Sequence, residues 1–129
     1  MATILLVDDD SKTLRPLRIL LEAEGYRVLT ALNGKAAESV TEVDQPDLIV
    51  TDWMMPGVDG VALCRWLKAD TATAAIPVVM LSAAQPPPLR EQLWDVLLRK
   101  PTPIARLIEV ISDLLETHRS IRSRQPHSR

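Results

Sequence analysis

Histidine and cysteine are nearly missing from this chain of 129 residues, and phenylalanine is wholly absent. Both histidines, His118 and His127, fall in the last dozen residues, and Cys64 is the single cysteine. An intramolecular disulfide framework is therefore excluded. So are a Cys/His zinc site and a Ser-His-Asp or Cys-His nucleophile within residues 1–117. Chemistry in that body must come from carboxylates, hydroxyls, lysine, arginine or backbone. Aromatics are confined to Tyr26, Trp53, Trp66 and Trp94. No apolar run approaches the eighteen or so residues of a membrane span. Met1 leads directly into a strand-like segment, so neither a secretory leader nor membrane attachment is expected, and a cytoplasmic protein is the default.

What is present is an ordinary globular composition, 47% apolar and 25% charged, in a length suited to one domain. The formal net charge of −2 hides a division. Residues 118–129 carry four arginines (Arg119, Arg122, Arg124, Arg129) and no acid, leaving residues 1–117 at −6. An acidic body lacks the clustered Lys/Arg needed to bind a phosphate backbone, so no nucleic-acid contact by this domain is expected.

Along the chain, TILLV at residues 3–7 stops abruptly at Asp8, Asp9 and Asp10. Apolar runs bounded in this way read as strands buried on both faces, hence parallel. Leucines 14, 17, 20 and 21 mark a helix over residues 11–24, interrupted by Pro16 and closed by Gly25. A second strand spans residues 26–31. Asn33-Gly34 then turns the chain into a short helix, 35–43, with Ala36, Ala37, Val40 and Val43 expected inward. DLIVT at 47–51 is a third strand, running into Asp52. Asp59-Gly60 opens a helix to residue 69 with Leu63, Cys64 and Leu67 on its inner face. A fourth strand, 78–81, ends at Ser82. Pro86-Pro87-Pro88 then leaves room only for a short helix at 89–95, before a fifth strand at 96–99 ending at Lys100-Pro101. The last helix starts at Pro103 and carries Ile104, Leu107, Ile108, Ile111, Leu114 and Leu115 on one stripe. Beyond residue 118 the pattern ends, so 1–118 is expected to be the domain and 119–129 a basic flexible tail or linker start. Alternating strands and helices imply an α/β fold with right-handed crossovers.

Polar groups thus follow four strands: Asp8, Asp9 and Asp10; Asp52; Ser82; and Lys100. In a doubly wound sheet these carboxyl ends share the crevice where ligands bind. Clustered carboxylates without His or Cys suit a hard cation, most plausibly Mg²⁺. Asp10, directly before a helix, reads equally well as a cap.

With these residues in hand, the sequence resembles the receiver domain of two-component response regulators over nearly its full length. The matching motifs are ILLVDDD at 4–10, LIVTDWMMPGVDG at 48–60, VVMLSA at 78–83 and KP at 100–101. The resemblance implies a flavodoxin-like, doubly wound five-stranded parallel sheet in the order 2-1-3-4-5, here with a shortened or irregular fourth helix. It implies a bacterial, Mg²⁺-dependent signalling phosphoacceptor rather than an enzyme in its own right. Asp52 would take a phosphoryl group from a sensor histidine kinase or phosphotransfer protein. Asp9 and Asp52 would bind Mg²⁺ directly, joined by the backbone carbonyl of Met54, with Asp8 acting through water. Lys100 and the Ser82 hydroxyl would hold phosphoryl oxygens after transfer, and Lys100-Pro101 would be cis. A downstream protein or output domain would receive the signal, and a homodimer is one form this could take.

Two departures stand out. Leu97 occupies the position, three residues before the lysine, where such domains usually carry Phe, Tyr or His, so the aromatic that reports phosphorylation is absent. Trp53 and Trp94 are the nearest substitutes, and Trp94 reads better as core. Met54 and Ala84 flank the approach of a hydrolytic water without being able to orient it, which implies a persistent acyl phosphate. Two other classes remain open: a pseudo-receiver interaction module, and a Mg²⁺-dependent aspartyl phosphohydrolase. The second is disfavoured by Met54, which stands where such enzymes place a general-acid aspartate.

Overall fold

The computed structural model describes residues 1–55, 57–83 and 93–124. Its elements are β1 (Thr3–Val7), α1 (Ser11–Ala23), β2 (Arg27–Ala31), α2 (Gly34–Asp44), β3 (Leu48–Asp52), α3 (Gly60–Lys68), β4 (Val78–Ser82), β5 (Val96–Arg99) and α4 (Ile104–Arg124). The five strands form one parallel sheet in the order β2-β1-β3-β4-β5, as expected from the sequence.

The unbroken apolar strands are explained by how their side chains divide. Ile4 and Leu6 of β1, with Leu48 and Val50 of β3 and Val79 and Leu81 of β4, face one way. There they meet Leu14 and Leu21 of α1 and Leu107, Val110 and Ile111 of α4. The alternate residues Leu5, Val7, Ile49, Val78 and Met80 face the other way, onto Ala37 of α2 and Leu63, Cys64 and Leu67 of α3. A strand covered on both faces has no polar side, so period-two alternation disappears from its sequence.

Two inward assignments do not hold. Leu20 is 42% exposed and Val43 is 82% exposed. Each lies six positions beyond a buried anchor, Leu14 and Ala37, which carries it about 120° around the helix and off the covered stripe. Thr41 takes the buried place on α2 instead, its hydroxyl donating to the Ala37 carbonyl at 2.7 Å. Pro16 is accommodated within α1. Tyr26 precedes β2 rather than opening it.

Helix starts follow local chemistry. Asp10, Asn33 and Asp59 cap α1, α2 and α3, accepting from the N–H groups of Lys12, Ala36 and Ala62. The expected helix at 89–95 lies largely outside the described residues. Its described part, Leu93 to Asp95, is not helical. There the Asp95 carboxylate accepts the Val78 N–H at 2.8 Å, a use that fixes the start of β4. At the same end of the sheet Asp47 accepts the Thr3 N–H at 2.7 Å. The last helix runs to Arg124, six residues beyond His118, so residues 119–124, expected as part of a flexible tail, continue the helix. No helix among the described residues is long and apolar enough to cross a membrane.

Candidate functional site at the carboxyl ends of the strands

Parallel pairing brings the ends of β1, β3, β4 and β5 into one row, and with them the polar residues that follow each apolar run. Asp8 is buried, Asp52 half-buried and Asp9 exposed. One carboxylate oxygen from each lies within 4.8 Å of the others. Lys100 reaches in from the end of β5, its Nζ 3.0 Å from Asp52 Oδ1 and 3.6 Å from Asp8 Oδ2. Ser82, the last residue of β4, is almost fully buried, and its carbonyl accepts the Lys100 N–H at 2.8 Å. That bond fixes the backbone from which the lysine extends. The Lys100–Pro101 peptide is cis, as expected.

Backbone contacts set the remaining positions. The Asp8 N–H donates to the Ala31 carbonyl at 3.1 Å, tying the acidic end of β1 to the end of β2. Asp8 Oδ1 accepts the Asp10 N–H at 2.9 Å, which orients its carboxylate. On the far side of Asp52, the Trp53 N–H donates to the Leu81 carbonyl and the Gly60 N–H donates to the Trp53 carbonyl. Gly60 is there because nothing larger fits. A Cβ would stand 2.7 Å from the Asp52 carbonyl oxygen and 2.7 Å from Met80 Sδ. Met55 is buried while the Met54 side chain is 71% exposed, so the turn after β3 is anchored through one methionine and leaves the other at the surface.

Electrostatics follow from this crowding. Burial pushes the Asp8 carboxyl above its ordinary range, and the Asp52 charge adds to the rise. The Asp10 N–H and Lys100 work against it without cancelling it. Burial draws the Lys100 ammonium down, but its hydrogen bond to Asp52 and the charges of Asp52 and Asp8 outweigh this and hold it above its ordinary value. The lysine is therefore a fixed cation beside two carboxylates.

The donor set fits Mg²⁺. It is all oxygen and contains no softer ligand, and three carboxylates converge where, among the described residues, the Lys100 ammonium answers them. Two ligands on one Mg²⁺ can lie up to about 4.2 Å apart, so the observed spread needs only a modest side-chain adjustment.

Asp8, Asp9, Asp10, Asp52, Met54, Ser82 and Lys100 all lie at this end of the sheet, but not all in one role. Asp10 is a helix cap: its side chain accepts the Lys12 N–H at 2.9 Å. Trp53 and Trp94 are both half-buried against the cluster on the α2 and α3 face, and Leu97 packs with them. Ala84 lies outside the described residues. That the end of β2 bonds to Asp8 was not legible in the sequence. Asn33-Gly34 signals a turn, but no local pattern reveals the Ala31 carbonyl's bond to Asp8.

A parallel 2-1-3-4-5 sheet with an acidic trio and a lysine at its carboxyl edge defines a phosphoacceptor-type receiver architecture, and comparison with known proteins agrees. A family model for the response regulator receiver domain matches residues 4–112. The polar-differentiation response regulator DivK of Brucella anthropi is 30% identical over 117 residues, covering 88% of this chain and 95% of DivK. The phosphate regulon transcriptional regulatory protein PhoB of Pseudomonas aeruginosa is 44% identical over 81 residues, 63% of this chain. The match spans about a third of PhoB's length, 35%. Among solved structures, the signal receiver domain of a signal transduction histidine kinase from Syntrophus aciditrophicus superposes with a TM-score of 0.84 at 30% identity. It covers 100% of this chain and 97% of that one. The chain belongs to the response regulator receiver domain family.

Proposed function

We propose that this domain accepts a phosphoryl group on Asp52 from a phosphohistidine of a partner kinase or phosphotransfer protein, in a Mg²⁺-dependent reaction in the cytoplasm. The observation that carries this reading is Lys100 Nζ at 3.0 Å from Asp52 Oδ1, within a group of three aspartates drawn from two strand ends. A carboxylate oxygen of Asp52 attacks phosphorus, the new O–P bond forms as the N–P bond of the donor breaks, and the imidazole leaves with a proton. Asp8, Asp9, Asp52 and the Met54 carbonyl would hold Mg²⁺, which when bound supplies positive charge to the phosphoryl oxygens. Lys100 passes from the free carboxylate to a phosphoryl oxygen of the product, keeping its positive charge where negative charge accumulates. The Ser82 hydroxyl, at the end of the neighbouring strand, would donate to another. The signal passes on through protein–protein contacts, to an output domain or a separate partner.

Intact-mass measurement after incubation with acetyl phosphate and Mg²⁺ tests this. One phosphoryl adduct is expected on the wild type, lost with EDTA and lost in Asp52→Ala. No adduct from acetyl phosphate or from phosphorylated kinases would instead identify an interaction module that phosphorylation does not regulate. An adduct that persists in Asp52→Ala would move the acceptor to another residue.

A further inference from the structure

We propose that Gly34, at the start of α2, is a positioning residue that sets the distance between the two halves of the Mg²⁺ site. The inference rests on the phosphoacceptor reading above. Gly34 is buried, and a Cβ there would meet the Val58 carbonyl oxygen, with Val58 Cγ1 at 2.5 Å and Val58 Cβ at 2.7 Å. Val58 belongs to the turn between β3 and α3, the same turn that carries Met54. Three residues before Gly34, the Ala31 carbonyl accepts the Asp8 N–H. The end of β2 and the start of α2 thus meet both sides of the site, Ala31 bonding to Asp8 and Gly34 pressing against the loop that follows Asp52.

The closeness is possible because Gly34 has no side chain. Ordinary contact between such atoms begins near 3.5 Å, so an alanine would force the Val58 backbone away by about an ångström. On the α3 side Val58 is followed directly by anchored residues. Asp59 caps α3, and the Gly60 N–H donates to the Trp53 carbonyl. A shift at Val58 is therefore passed through Asp59 and Gly60 to Trp53, which stands between Asp52 and Met54. Mg²⁺ tolerates such shifts poorly, because it requires near-octahedral oxygens at closely fixed distances. The three atoms nearest such a Cβ all belong to Val58, so the effect travels through Val58.

The test is a Mg²⁺ titration followed by the indole N–H signals of ¹⁵N-labelled protein, with Trp53 beside Asp52 as reporter. Gly34→Ala is expected to weaken Mg²⁺ binding about tenfold, in line with other residues that act behind a ligand. Val58→Gly added to Gly34→Ala removes two of the three colliding groups and should recover most of that loss. Val40→Ala, six residues further along α2 in the same apolar cluster, should lower stability and leave Mg²⁺ affinity within twofold of wild type. If Gly34→Ala does not fold, Val58→Ala, which deletes the methyl facing Gly34, should weaken binding about threefold. A folded Gly34→Ala that binds as wild type overturns the proposal, as does an equal loss in Val40→Ala or an unchanged Val58→Ala. A wild type that neither responds to Mg²⁺ nor forms an adduct removes the phosphoacceptor reading itself, and this inference with it.

Discussion

Replacing Lys100 with methionine should destabilise the domain strongly without Mg²⁺ and only weakly with it. The ammonium lies 3.0 Å from one carboxylate and 3.6 Å from another, and its side chain is 30% exposed. Charge-assisted hydrogen bonds of this kind contribute about 1.5–3 kcal/mol each when desolvated. Partial exposure and salt reduce that, so we expect a net loss of about 2 kcal/mol in EDTA. Methionine keeps much of the aliphatic stem, which confines the change to charge. For a domain of this size the loss corresponds to a fall in Tm of roughly 8 °C. Divalent binding restores positive charge among Asp8, Asp9 and Asp52, so at saturating Mg²⁺ the deficit should shrink to less than half. The assay is thermal unfolding by circular dichroism of both proteins, with EDTA and across a Mg²⁺ series. An equal deficit in both conditions would show that the lysine acts through packing. A variant more stable than wild type in EDTA would refute the electrostatic argument outright.

Two further outcomes follow from residues at opposite depths. Cys64 is buried in α3, and burial pushes its thiol up to about 12, so it should resist a disulfide reagent at pH 8 in the native protein and react fully in guanidinium chloride. Rapid labelling of the native protein would contradict the burial. Met54 cannot hold a water by hydrogen bonding and its side chain is exposed beside the site, so the acyl phosphate should persist, and Met54→Asn should shorten its lifetime several-fold. Loss of phosphate from the wild type within seconds, followed by intact mass with Mg²⁺ present, would rule this out.

The parts legible in the sequence were those governed by local pattern. Four apolar runs ending in polar residues, with a further strand at 26–31, marked the sheet, and parallel pairing placed Asp8, Asp52, Ser82 and Lys100 at one edge. The motif at 48–60 located Asp52 and the cap at Asp59. What escaped was set by geometry around a helix or across the fold. Leu20 and Val43 are apolar, yet each stands about 120° around its helix from a buried anchor, and how wide a stripe the sheet covers is not encoded locally. Gly34 read as a turn glycine because its neighbour Val58 is distant in sequence. The extension of α4 past His118 needs no apolar stripe, since arginine and serine are tolerated in a solvated helix.

The two ends of the sheet use the same side chain under different rules. Asp47 and Asp95 each serve as an acceptor for one backbone N–H, at Thr3 and Val78, and an amide oxygen does that work equally well. Asparagine at either position should therefore pass unnoticed. At Asp8, Asp9 and Asp52 the proposed Mg²⁺ site would require the negative charge itself, and the same one-atom exchange would abolish it. A map of tolerated Asp-to-Asn changes would consequently split the molecule into a permissive floor and an intolerant rim, separated by five residues of apolar strand.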